Sequence, residues 1–377
     1  MDHFDLTLLS ALVATFCLAY LPTSRAPSNT PRPALSERDR YGLRHLVKRC
    51  IEETISSMGT TSHGEGSREV TLRRETVYDL DGHLLARLVH NSDDSVWATR
   101  YIHDAAGRLL KVSSGREGDP PMVSVYTYDE QERLTSIDDG VNPPITFSYE
   151  GGRKTKRQVS REQDYKPNVA VAADSPFQAA DLPPNLEGGG SAVTSYDESD
   201  RPIEVQVANT QVDTVSRAIR AYDAEGRVAE DKQILEDPLA ILPVSTRAKI
   251  AESSGSDLEQ VRKQIRALMG DHQGFSSVRF IYDAQGRVEK RLRQIFNRED
   301  EIEITYNEQG DEASTKTRTI RTWGTPEQTT PTSDSDVRYS YQYDAHGNWT
   351  ERITAVSSGL DGIFSPTSKT RRTLTYF

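Results

Sequence analysis

Nine short segments built to close β-hairpins recur along this chain, and they constrain its fold more than any other feature. They are YDLDGH from Tyr78, HDAAGR from His103, YDEQER from Tyr128, YEGGR from Tyr149, YDESDR from Tyr196, YDAEGR from Tyr222, YDAQGR from Tyr282, YNEQGD from Tyr306 and YDAHGN from Tyr343. Their starts lie 25, 25, 21, 47, 26, 60, 24 and 37 residues apart, so one unit of about 25 residues recurs, sometimes carrying an insertion. Thirteen of the 16 tyrosines fall in these segments, two to four residues before them, or in the closing LTYF, which chance placement does not produce.

Each residue type has a physical task. Asp79, Asp104, Asp129, Asp197, Asp223, Asp283 and Asp344 stand at the first position of a type I turn, where a carboxylate accepts hydrogen bonds from backbone N–H groups further on. Gly82, Gly107, Gly226, Gly286, Gly310 and Gly347 stand where the chain turns left-handed, which glycine does without a Cβ clash. Register follows: Asp223 faces Arg227 across the hairpin and Tyr222 faces Val228. By the same rule Tyr78, Tyr128, Tyr196, Tyr282, Tyr306 and Tyr343 each face the residue six positions on. Residues two before the tyrosine share its face and are apolar in many units, as with Tyr126, Phe147, Phe280, Ile304 and Tyr341. Glu132 and Asp200 occupy glycine positions, and Glu150–Arg153 is a shorter Gly-Gly turn.

Composition narrows the class. Hydrophobic residues make up 35% of the 377 and charged ones 27%, below the roughly 45–50% apolar content of a compact globular chain, so thin sheets are expected instead of one thick core. The net charge of −11 argues against general nucleic-acid binding. Two cysteines, Cys17 and Cys50, build neither a disulfide framework nor a metal set. Leu6–Leu21 is a nearly pure apolar run, shorter than the roughly 20 residues of a comfortable membrane span. Residues 1–26 therefore read as a signal peptide or an N-terminal membrane anchor, and the chain as exported to the periplasm, cell envelope or extracellular space. Residues 27–40, rich in Pro and Ser, read as a flexible linker, and residues 41–377 as the repeat body. Within that body 166–190 and 323–336 read as loop insertions, and 256–269 as one amphipathic helix with Leu258, Val261, Ile265 and Leu268 on one side.

The eight histidines are scattered without metal-ligand spacing, and no phosphate loop, dinucleotide fingerprint or GxSxG nucleophile occurs. Neighbouring acids such as Asp93-Asp94 and Asp138-Asp139 fit a polysaccharide hydrolase only weakly, because adjacent pairs arise routinely among 57 acidic residues. No cofactor, metal or catalytic residue is expected. Trp97, Trp323 and Trp349, with the tyrosine stripe, could stack on sugar rings. The reading favoured over that is that they form the sheet's packing face.

These units resemble the YD repeats of the Rhs, wall-associated and teneurin families over about residues 75–377, in the manner of a short bacterial member without a toxin domain. The resemblance implies long hairpins joined into one coiling sheet. Shell and toxin functions are not carried over to so short a chain. The expected fold is thus all-β: a curved, coiling antiparallel sheet of about nine hairpins, with one inserted helix and an N-terminal hydrophobic segment. The expected function is a non-catalytic envelope or extracellular scaffold or binding surface. Its partners would be glycans or cell-surface components, and it would meet the membrane only through an uncleaved N-terminal segment. Carbohydrate recognition by the aromatic face is the alternative.

Overall fold

The computed structural model describes residues 36–58, 68–91, 93–161, 190–209, 214–236, 276–295, 298–322, 329–357 and 362–377, with Leu239, Glu252, Gln260 and Lys263. Alternating apolar and polar residues between hairpin turns form twenty strands. In the first half these are β1 (Val47–Met58), β2 (Arg68–Tyr78), β3 (Leu84–His90), β4 (Val96–His103), β5 (Leu109–Arg116), β6 (Met122–Tyr128), β7 (Leu134–Asp138), β8 (Ile145–Glu150), β9 (Arg153–Arg161) and β10 (Gly190–Tyr196). There follow β11 (Pro202–Asn209), β12 (Thr214–Tyr222), β13 (Val228–Leu235), β14 (Ser276–Tyr282), β15 (Val288–Ile295), β16 (Arg298–Tyr306), β17 (Glu312–Thr322), β18 (Thr329–Tyr343), β19 (Trp349–Ser357) and β20 (Ser365–Tyr376).

Every strand pairs antiparallel with its neighbours in sequence, and β20 also pairs with β1, from Val47 opposite Tyr376 to Ser56 opposite Ser368. The sheet is therefore a closed up-and-down barrel. This corrects the expected open, coiling sheet of about nine hairpins, and with it the YD-repeat resemblance that suggested the coil. An open sheet leaves a row of unpaired N–H and C=O groups on each outer strand; closure pairs β1 with β20 and leaves neither edge exposed. Residues 329–336, expected in a loop, belong to β18. The other expected insertion, 166–190, lies outside the described residues except for Gly190, which opens β10. Of the expected helix at 256–269 only Gln260 and Lys263 are described, both helical and exposed. The hydrophobic segment, Cys17 included, lies outside the described residues.

Up-and-down order sends all nine repeat turns to one rim and the strand ends that flank the insertions to the other. A short lead-in lies across the turn rim. Its one-turn helix α1 (Glu37–Arg40) is capped by Ser36, whose hydroxyl accepts from Asp39 N–H while the Asp39 carboxylate accepts from Ser36 N–H. Arg38 N–H donates to Gly82 C=O, and the Glu37 carboxylate accepts from Leu84 N–H. Gly82, at φ 87°, leaves no room for a Cβ, which would stand 2.6 Å from Ser36 Oγ. Further along, Arg44 exchanges hydrogen bonds with the Asn348 side chain at 2.7 and 2.9 Å. Leu43, Val47, Cys50, Tyr78 and Leu84 pack together below this crossing.

The two faces of the sheet differ. The face carrying the turn tyrosines holds most buried strand residues, among them Val205, Val207, Ile304, Thr319, Trp349 and Thr370. The inner side of a closed barrel crowds its side chains, so this tyrosine face lines the lumen. Twenty strands enclose more space than side chains fill, and most of its tyrosines are accordingly half-buried.

Burial pushes the Cys50 thiol up to about 12, so at neutral pH it is an un-ionised, packed side chain. Iodoacetamide should leave Cys50 unmodified in native protein and modify it in urea, as read by peptide mass spectrometry. Rapid native alkylation would show that the lead-in does not cover it.

Candidate functional site: the turn rim and the tyrosine face

At the turn rim, Asp223 Oδ1 accepts from Arg227 N–H at 2.8 Å and Oδ2 from Arg227 Nε at 2.7 Å, while Gly226 N–H donates to Asp223 C=O at 3.0 Å. Asp223 N–H closes the loop by donating to Arg227 C=O at 2.9 Å. Partial burial opposes the charge on Asp223, but the backbone and guanidinium N–H groups of Arg227 outweigh it and hold the carboxyl below its usual range. The same clasp forms at Asp104–Arg108, Asp129–Arg133, Asp197–Arg201 and Asp283–Arg287, with Nε–Oδ2 distances of 2.6 to 2.7 Å.

Each clasp also grips the next hairpin. The guanidinium carbon of Arg227 lies 4.3 Å from the Tyr282 ring centre, and Tyr282 OH donates to Val228 C=O at 2.7 Å. Arg133 stacks on Tyr149 at 4.6 Å, Arg201 on Tyr222 at 4.3 Å and Arg287 on Tyr306 at 4.3 Å. The hydroxyls of these tyrosines reach the carbonyls of Leu134, Pro202 and Val288. Sequence reasoning placed the arginine across its own hairpin and missed this second contact. The signal was present, since a hairpin alone does not require arginine at the end of six of the nine turn segments.

Where the motif is degraded the clasp adapts. Asp311 replaces arginine after Gly310, and its carboxylate accepts from Tyr343 OH at 2.9 Å. Asp344 accepts from Asn348 N–H and from Tyr376 OH, so Tyr376 closes the ring of contacts at the seam. Glu132 and Asp200 take φ of 63° and 57°. Side chains other than glycine pay about 1 kcal/mol in that region, so Glu132→Gly should raise stability by roughly 0.5–1 kcal/mol in urea denaturation. A loss would mean that the Glu132–Arg108 ion pair at 3.3 Å outweighs the backbone cost.

Asp79, Asp81 and His83 bring donor atoms within 4.8 Å of one another. His83 stands where arginine stands in other turns, and its Nδ1 already bonds Asp79 Oδ2 at 2.9 Å, so this is the clasp of the first turn. The aromatic candidates separate. Trp349 is only 8% exposed, and the Arg372 guanidinium lies 3.5 Å from its ring centre, so it is not the exposed stacking platform expected of it. Trp97 is 38% exposed, and its indole N–H donates to Ser114 Oγ at 2.9 Å. Trp323 lies outside the described residues.

Charged side chains occur at mid-strand on both faces. On β16 the outer face carries Glu299, Glu301 and Glu303, while Arg298 and Asp300 share the tyrosine face. Asp300 is buried and accepts from Arg298 Nε at 2.8 Å, Arg293 Nε at 2.9 Å and Thr319 Oγ1 at 2.7 Å. Arg220 and Asp231 form a second sheltered pair at 2.6 Å.

Fold and site together define a closed, antiparallel, up-and-down β-barrel. No protein-family model matches the chain, and no curated protein does. Solved structures similar to it include a porin-like protein from Bacteroides uniformis ATCC 8492, at TM-score 0.35 and 8% identity over 87% of this chain and 98% of that one. A porin-like protein from Bacteroides vulgatus ATCC 8482 gives TM-score 0.27 and 10% identity over 89% and 99%. The TcdB2-TccC3 structure gives TM-score 0.33 and 13% identity over 83% of this chain but 15% of that one. Scores this low carry no argument, and the barrel rests on the chain's own strand pairing.

Proposed function

We propose that this chain is an exported, non-catalytic barrel of the cell envelope that serves as a binding or scaffolding body and stands in water. The observation that carries the second half is the charge on both faces of the sheet. A lipid-facing band must be apolar, and a charged side chain at the bilayer midplane costs up to about 2–4 kcal/mol. Glu299, Glu301 and Glu303 on one side of β16, with Arg298 and Asp300 on the other, leave that strand no lipid-compatible side. Arg49 and Glu53 on β1, with Lys369 and Arg371 on β20, repeat the pattern at the seam. Export is supported by the apolar run at Leu6–Leu21.

Two experiments test this reading. Cell fractionation should find the chain outside the cytoplasm; a cytosolic pool with an intact N-terminus would overturn export. A Glu303→Cys variant should react promptly with a membrane-impermeant maleimide in intact envelopes, and protection lifted only by detergent would place β16 in lipid. The non-catalytic half fails if the purified protein hydrolyses any of a panel of polysaccharides and single Asp or Glu substitutions abolish that hydrolysis.

A further inference from the structure

At the seam the tyrosine face carries more cations than it balances. Glu52 on β1 stands in register between Arg74 on β2 and Arg372 on β20. It accepts from Arg372 Nε at 2.7 Å. On β19, Arg352 faces Thr370, two residues from Arg372. Arg74, Arg352 and Arg372 thus lie on the same face as Glu52, whose carboxylate bonds Arg372, in a chain whose net charge is −11. Arg352 and Arg372 converge on Trp349, with guanidinium carbons 5.3 and 3.5 Å from its ring centre.

Arg352 Nε and Arg372 Nη1 are both sheltered from solvent, and neither has an acceptor. The Arg372 side chain is only 10% exposed. Buried guanidinium N–H groups ordinarily find acceptors, and a carboxylate is the group whose two oxygens match paired guanidinium donors. Arg74, exposed at the end of the row, adds a positive charge at the point of approach.

We propose that Arg352 and Arg372, with Arg74 beside them, form a binding site for a small dicarboxylate at the β19–β20–β1 seam. The excess of two positive charges over Glu52 sets the charge of the ligand. Trp349, stacked against Arg372, reports its arrival. The site rests on the reading of this barrel as a binding body.

The probe is succinate, titrated into full-length protein carrying Trp97→Phe and Trp323→Phe so that Trp349 is the sole tryptophan, with its emission excited beyond tyrosine absorption. Succinate should change the emission saturably, and sodium chloride at equal ionic strength should not. Arg352→Gln with Arg372→Gln should weaken the response at least tenfold. Arg371→Gln, on the opposite face beside Glu351, should leave it unchanged. If the double variant does not fold, the wild-type titration still decides. No saturable response, an equal response to sulfate, or a response to polygalacturonate alone would overturn the small-dicarboxylate site. Absence of succinate binding in a protein that is exported and maleimide-reactive at position 303 would remove this site and leave the envelope reading standing.

Discussion

Replacing Asp300 by alanine should lower the unfolding free energy by about 3 kcal/mol, the low end for breaking a buried ion pair because Arg298 still reaches water. The Asp300 side chain is 1% exposed and is gripped by Arg293, Arg298 and Thr319, so its loss leaves two guanidinium groups facing each other across β15 and β16. Asp300→Asn should cost less, because the amide oxygen keeps one acceptor in place. Urea denaturation measures both, and a cost under about 1 kcal/mol for alanine would mean that water already satisfies the arginines. The pH dependence follows from the same contacts. Burial works against the ionised carboxylate, yet the Arg298, Arg293 and Thr319 donors outweigh it and lower its pKa. A depressed carboxylate contributes stability that is fully present above the unfolded value of about 3.9 and is lost as pH falls through the lower folded value. Wild-type protein should therefore lose stability below about pH 4 more steeply than Asp300→Asn.

The second large effect concerns the seam. Thr54 and Thr370 face each other across β1 and β20 with hydroxyl oxygens 2.9 Å apart, although 316 residues separate them in sequence. Thr54→Cys with Thr370→Cys should oxidise to a disulfide in the native state, seen as faster migration on a non-reducing gel. A loop of that length should add up to about 5 kcal/mol of stability, less whatever strain the bond introduces. In an open, coiling sheet the two cysteines would lie on opposite outer edges and remain free. Persistent labelling of both thiols under oxidising conditions would sink the closed barrel. Cys50, packed beneath the lead-in, does not compete for the bond.

The features legible in the sequence were those that act over a few residues. Asp223, Gly226 and Arg227 lie within five positions, so hydrogen-bond chemistry and the left-handed turn could be assigned from residue types alone. Alternation along β8, where Ile145, Phe147 and Tyr149 are sheltered while Thr146, Ser148 and Glu150 are exposed, was legible for the same reason. The candidate sites were harder. Trp349 read as an exposed ring because sequence does not show that Arg372, 23 positions on, lies against its face. The Arg74–Glu52–Arg372 row draws on three strands from both ends of the chain, and no spacing rule connects them.

The sequence by itself determined that this protein is a succession of antiparallel hairpins with a tyrosine-bearing face and turns closed by aspartate and glycine. Those choices minimise local backbone and hydrogen-bond costs whatever lies further away. Only the tertiary structure decided that the sheet closes. Whether strand twenty meets strand one depends on twist and stagger accumulated over the whole array, and a sequence unit of about 25 residues that can build either a coil or a ring does not encode which. Closure in turn made the tyrosine face a lumen and brought Arg352 and Arg372 against Glu52 at the seam.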